Sequence, residues 1–257
     1  MANRINRIIR PDTGRTLMFA VDHGYFMGPT TGLEKLNETV TPLLPYADSL
    51  MLTRGALRYY VTPKIDTPII LRVSGGTSIL NKDMLHEGIV AGIEDAIRLN
   101  VAAVAFSIMV GADYERDTLL GFTEVVDMAE RYGIPTLAVT AVGKELVRDA
   151  KYLSLASRIA AELGARIVKT YFCDGFEKVI QSCPVPVVIA GGKKIPEREA
   201  LEMAYKAVQI GASGVDMGRN IFQAESPIAM VQAVRSIVQD DSNVDQAFQL
   251  YNDLKNE

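Results

Sequence analysis

Tryptophan is absent from this chain, and histidine and cysteine occur only twice each. Two cysteines, Cys173 and Cys183, are too few for a disulfide framework, which fits a reducing compartment. No His/Asp/Glu cluster shows ligand spacing, so no metal and no bound cofactor is expected. No apolar run is long enough to span a bilayer, and the N-terminal Met1-Ala2-Asn3-Arg4-Ile5-Asn6-Arg7 has no apolar leader core. Positive charge is not in excess either. With 27 Lys+Arg against 31 Asp+Glu, the formal net charge is −4 and the basic residues are dispersed, which argues against a nucleic-acid or membrane partner. A soluble, cytoplasmic protein is expected.

What the chain does have is one recurring local pattern. An amphipathic stretch ends in Gly or Asn, and a short β-branched run follows almost at once. Gly133 precedes Ile134–Val139, Gly164 precedes Ala165–Val168, Gly211 precedes the run at Gly214–Met217, and Asn100 precedes Val101–Phe106. Gly and Asn accept the left-handed conformation that ends a helix, so each marks a helix C-terminus leading into a strand. Helical spacing supports the preceding stretches, as in Ile89, Ile93 and Ile97, or Leu119, Val126 and Ala129.

Eight strand candidates emerge: Leu17–Asp22, Ser49–Thr53, Pro68–Ser74, Ala102–Val110, Pro135–Thr140, Ala165–Phe172, Val185–Ala190 and Gly214–Gly218. Eight strands alternating with helices predict a (β/α)8 TIM barrel, and 257 residues is the usual size of one such domain. No linker divides the chain, so a single domain over 1–257 is expected. Its lead-in, 1–16, would cross the barrel's closed end or pack on a neighbour. Its helical tail from about 240 would serve subunit contacts. An open doubly wound sheet is the alternative, but no strand is followed by G-x-G-x-x-G.

Active sites of such barrels lie at the C-terminal ends of the strands. In the sixth candidate strand, alternation puts Ile167, Lys169 and Tyr171 on one face. A lysine aimed into a packed interior loses hydration, which disfavours its charge and suits it to Schiff-base chemistry with a ketone. The bland readings are an edge lysine or one paired with a buried carboxylate. The first strand ends in Asp22-His23-Gly24, with Met18, Ala20 and Asp22 inward. His23 is a candidate general base, and Asp22 would fix protonation states or pair with Lys169. His86, the other histidine, falls in a polar stretch read as helical.

The seventh strand runs into Gly191-Gly192-Lys193-Lys194 and the eighth into Gly218-Arg219-Asn220. Glycine backbone N–H groups beside Lys193 and Arg219 suit a phosphate, and this fold commonly binds one there. Arg72-Val73-Ser74-Gly75-Gly76 supplies a third wall, with Ser74 as a phosphate ligand.

These segments carry a family resemblance over essentially the whole chain. Lys169 within Ile-Val-Lys-Thr-Tyr, Asp22-His23-Gly24, and the Gly191-Gly192 and Gly218-Arg219 turns resemble the class I aldolase group related to archaeal-type fructose-bisphosphate aldolase. Gly28–Glu34, Val142-Gly143-Lys144 and Gly211–Gln223 are similar to its autoinducer-2-processing thiolases. The resemblance implies Lys169 as active-site lysine, His23 as catalytic histidine, and coenzyme A as co-substrate receiving an acetyl group from a phosphorylated dione. It also implies a homo-oligomer, a decamer. The family's sugar-phosphate aldolases carry a tyrosine acid/base at the fifth strand's end, where this chain has Thr140. That departure counts against fructose-bisphosphate cleavage, which stays the alternative activity; a non-catalytic sensor of a phosphorylated metabolite is the third. The chain begins later than those thiolases, so any contact their N-terminal extension makes is not carried over.

Overall fold

A computed structural model describes residues 1–60, 66–81, 85–140 and 147–256. The Val142-Gly143-Lys144 motif lies outside them. The first third of the chain runs α1 (Ala2–Ile8), β1 (Thr16–Ala20), α2 (Gly24–Met27), α3 (Leu36–Val40), β2 (Ser49–Thr53), α4 (Arg54–Tyr59) and β3 (Ile69–Arg72). A small antiparallel pair, β4 (Ser74–Gly75) and β5 (Gly88–Ile89), stands above the barrel. The chain continues through α5 (Ile93–Arg98), β6 (Ala103–Ile108), α6 (Glu115–Arg131), β7 (Thr136–Thr140), α7 (Ala150–Glu162) and β8 (Ile167–Tyr171). It ends with α8 (Glu177–Ser182), β9 (Val187–Ala190), α9 (Glu197–Ile210), β10 (Gly214–Met217), α10 (Arg219–Phe222), α11 (Pro227–Asp240) and α12 (Val244–Lys255).

Strands β1, β2, β3, β6, β7, β8, β9 and β10 pair in parallel and close into a barrel, with β10 returning to β1. All eight strand candidates are therefore strands, β2 with the expected bounds, β1 starting one residue earlier and ending two earlier, and the other six shortened, and the (β/α)8 fold stands. Asn100 and Gly211 adopt φ of 50° and 111°, the left-handed ends expected of them. One helical reading holds for Ile93 and Ile97, both on α5, and is corrected at Ile89. Ile89 belongs to β5, and Ile97 is 42% exposed on α5, because Ile93 and Ala96 face the barrel instead. His86 sits in a loop beside β5 rather than in a helix, its ring stacked 3.8 Å from that of Tyr114.

Strand alternation creates two cores. Leu17, Phe19, Val168 and Val215 face outward to the helices, whereas Met18, Ala20, Met51, Ile70, Ala103 and Ile167 fill the barrel. Helix α1 plugs the N-terminal mouth: Ile8 and Ile9 join the inner cluster, and Arg4 donates to the carbonyl of Val101. Burying Ile8 contributes roughly 1.5–3 kcal/mol by its apolar area. At the other terminus, Asn243 and Gln246 form a capping box for α12, which buries Ala247 and Tyr251 against α9 and α11.

Candidate active site

Every residue at the open mouth inherits its direction from strand parity. Lys169 follows Ile167 by two and points inward; Asp216 is paired in register with inward-facing Met18 and does the same. Their side chains meet, with Lys169 Nζ 2.9 Å from Asp216 Oδ2. Both are buried, and Lys169 Nζ also lies 4.0 Å from the Met51 sulfur. Burial pushes the Asp216 carboxyl up, against the pull of Lys169.

Asp22 does not pair with Lys169. The Arg72 Nε donates to Asp22 Oδ2 at 2.8 Å, and Nη1 donates to the hydroxyls of Ser107 (2.5 Å) and Ser74 (3.2 Å). Burial opposes the Asp22 charge, yet Arg72, Lys169 and His23 hold its carboxyl below the usual range. The network continues outward. Ser74 donates to Glu87 Oε2 and Tyr25 donates to Glu87 Oε1, both at 2.6 Å. Ser74 is therefore spent behind Arg72, so its expected place on the phosphate wall is corrected. The carboxylate Glu87 and the buried Asp22 need these donors, and Ser74 is the hydroxyl between them.

His23 immediately precedes α2 and lies over Gly218, where any Cβ would overlap its ring and the Ala20 carbonyl. Its edge meets Phe222 at a ring separation of 5.4 Å. Burial lowers its pKa to about 4 despite Asp22, so the imidazole is neutral near pH 7. Its Nδ1 has no hydrogen-bond partner. A neutral imidazole keeps one ring nitrogen free of hydrogen, which can accept a proton.

The two late turns converge. Asn220 donates to the Gly191 carbonyl (2.6 Å) and accepts from Ile195 N (2.9 Å), tying the β9 and β10 loops together. Gly191, Gly192, Lys193, Gly218 and Arg219 all border one cavity of about 390 Å³ whose floor holds Lys169 and Asp216. Arg219 Nε has no hydrogen-bond partner, and burial lowers this guanidinium's pKa. Lys194 turns away to Glu197, 2.7 Å distant. Arg148, stacked 3.8 Å over the Tyr171 ring, adds a further cation to the wall. Thr140 donates to Thr170 Oγ1 at 2.8 Å, so its hydroxyl is committed to the wall. Among the described residues, no group of three or more His, Cys, Asp or Glu could hold a metal.

The structure thus brings together Lys169, His23, Asp22 and the glycine turns. Sequence reasoning missed Asp216, Arg72 as the Asp22 partner, Arg148 and Tyr171. Asp216 was findable, since Gly214 and Asp216 alternate as Ile167 and Lys169 do.

A model of the DeoC/LacD aldolases matches residues 16–224. A 3-hydroxy-5-phosphonooxypentane-2,4-dione thiolase of Photorhabdus laumondii is 53% identical over 252 residues, covering 98% of this chain and 86% of that protein. Its counterpart in an Enterobacter species is 54% identical over 256 residues, at 99% and 86% coverage. An uncharacterized aldolase of Pasteurella multocida is 53% identical over 256 residues, at 99% and 88% coverage. Among solved structures, an archaeal fructose-1,6-bisphosphate aldolase superposes with a TM-score of 0.82 at 24% identity, covering 92% of this chain and 98% of that one. That likeness concerns the fold.

Proposed function

The chain belongs to the DeoC/LacD family of aldolases, and from that premise we propose that it is a 3-hydroxy-5-phosphonooxypentane-2,4-dione thiolase. It moves the acetyl group of the phosphorylated dione to coenzyme A, leaving dihydroxyacetone phosphate. The observation that carries this reading is the buried Lys169–Asp216 pair on the floor of a cavity edged by Arg219 and Lys193, in a chain 53–54% identical to proteins of that name.

Gly191, Gly192, Lys193, Gly218 and Arg219 hold the phosphate, which sets the nearer ketone over Lys169. The amine condenses with that ketone, releasing water, while Asp216 carries the proton between steps. The thiol adds to the acetyl carbonyl as His23 takes its proton. The bond between the acetyl carbon and the hydroxylated carbon then breaks, and its electron pair is drawn into the iminium at Lys169. Protonation at the hydroxylated carbon and hydrolysis of the imine release the second product. Asp22, fixed by Arg72, keeps negative charge beside these cations. The protein works in the cytoplasm as a homo-oligomer, a decamer by the resemblance.

Class I cleavage of a ketose phosphate is the second reading, and the family itself favours it. Against it, Thr140 stands where those aldolases place a tyrosine, and its hydroxyl is bonded to Thr170. Purified protein incubated with the dione, with and without coenzyme A, separates the two. Acetyl-CoA formed by the wild type and lost in Lys169→Ala supports the thiolase. A ketose phosphate cleaved without coenzyme A, and no acetyl-CoA, replaces it with the aldolase.

A further inference from the structure

A second cavity, of about 610 Å³, opens between the segment after β1 and helix α4. Asp22 borders both this groove and the cavity above Lys169, so the two adjoin at the reacting centre. The phosphate wall lies at β9 and β10, whereas the groove opens beyond the next strands round the ring, β1 and β2. A reaction that passes an acetyl group from a phosphorylated dione to a thiol needs a second path to the acetyl carbon, one that does not cross the phosphate.

The groove suits a thin, mostly uncharged chain. Val21, Leu33, Leu36 and Ala56 line it, and its two threonines are engaged within the protein. Thr30 donates to the Gly28 carbonyl and Thr53 caps α4. At the outer rim stand Tyr59 and Tyr60, 79% and 53% exposed, with ring centroids 6.5 Å apart. Large aromatics left open beside a groove are natural stacking surfaces for a purine. Positive charge flanks the same helix. Arg54, Arg58 and Arg98 converge on the single carboxylate of Asp95 at 2.6, 2.9 and 2.5 Å, leaving the cluster in cationic excess. A ligand with a narrow amide arm, a purine and phosphates between them matches this sequence of surfaces.

We infer that this groove is the acyl-acceptor channel, taking the pantetheine arm of coenzyme A between the β1 loop and α4, with the adenine on Tyr59 and Tyr60. The inference rests on the thiolase reading. Within it, the thiol arrives beside Asp22 and His23, gives its proton to His23, and forms the thioester bond as the carbon–carbon bond breaks.

Gly55 provides the test. It lines the groove, and a Cβ added there meets nothing within 4 Å. Gly55→Leu should therefore fill the channel while the barrel folds. Coenzyme A binding to the full-length protein is measured by calorimetry, and KM for coenzyme A, pantetheine and the dione by acetyl thioester formation. Gly55→Leu should weaken both thiols at least tenfold, in binding and in KM, and leave the dione KM and borohydride trapping on Lys169 as in wild type. Tyr59→Ala, at an exposed site that folding does not need, should weaken coenzyme A several-fold but not pantetheine. Unchanged thiol constants in both variants overturn the channel, as does a change of oligomeric state in Tyr59→Ala without a change in coenzyme A affinity. Calorimetry separates the two claims. Wild type that binds coenzyme A through Gly55-sensitive contacts yet makes no acetyl-CoA keeps the groove and discards the thiolase. Turnover that Gly55→Leu leaves untouched does the reverse.

Discussion

Lys169 and Asp216 lie on strands that are not neighbours: β9 runs between them, and their side chains close the gap across the barrel interior at 2.9 Å. Asp22, just beyond β1, which neighbours β10 in the ring, and Arg72 on β3 repeat the relationship across β2. Interior layers of this fold draw side chains from alternate strands, so a residue's nearest inward neighbour sits one strand further on. The two pairs place two basic and two acidic side chains around one reacting volume.

Removing one member of such a pair leaves the other buried and uncompensated. Asp216→Ala should lose roughly 3–5 kcal/mol of stability if Lys169 stays charged, read as a fall in the urea midpoint. The double variant Lys169→Met/Asp216→Ala should recover part of that loss. An additive double variant would refute the coupling.

Burial of neutral His23 makes the fold acid-sensitive. Its pKa is about 4 in the folded protein, below the ordinary 6.5, so the unfolded chain takes up a proton first as pH falls. Stability should therefore drop between pH 6.5 and 4, by on the order of 3 kcal/mol. The same window should flatten in His23→Gln, with stability followed by urea titration at each pH. Activity of His23→Ala should fall about 10²–10⁴-fold, and the acidic limb of wild-type kcat/KM should lie nearer pH 4 than 6.5.

Gly218→Ala drives a methyl into the Ala20 carbonyl and the His23 ring. Overpacking of this kind costs about 1–3 kcal/mol, and the ring must turn away from the substrate. A kcat reduced as severely as in His23→Ala, with a modest loss of stability, is expected. Near-normal kcat would show that His23 does not act from this position.

Arg219 borders the cavity beside the glycine turns, and its buried Nε has no hydrogen-bond partner. Charge-assisted hydrogen bonds contribute about 1.5–3 kcal/mol, so Arg219→Ala should raise the dione KM roughly ten- to a hundredfold. Inhibition by inorganic phosphate should weaken in parallel, with kcat little changed. A KM equal to wild type moves the phosphate elsewhere, with Arg148 and Lys193 the next cations to vary.

Strand number, order and facing were readable in the sequence, because helix-ending Gly133, Gly164 and Gly211 punctuate the chain and period two fixes each side chain's face. That was enough to aim Lys169 and Asp22 inward and gather the glycine turns at one end. Partnership was not readable. Asp22, Asp216, Arg72 and Lys169 all point into one mouth, and four charges can pair in more than one way. Which carboxylate meets the lysine depends on the stagger of strands when β10 closes on β1, a property of the whole ring rather than of any segment. Ser74 illustrates the same limit: its sequence context placed it on a phosphate wall, and only the closing of β4 on β5 turned it to Glu87. Alternation along a strand is a local consequence of backbone geometry, whereas contact across a barrel is set by closure, which no short stretch of sequence contains.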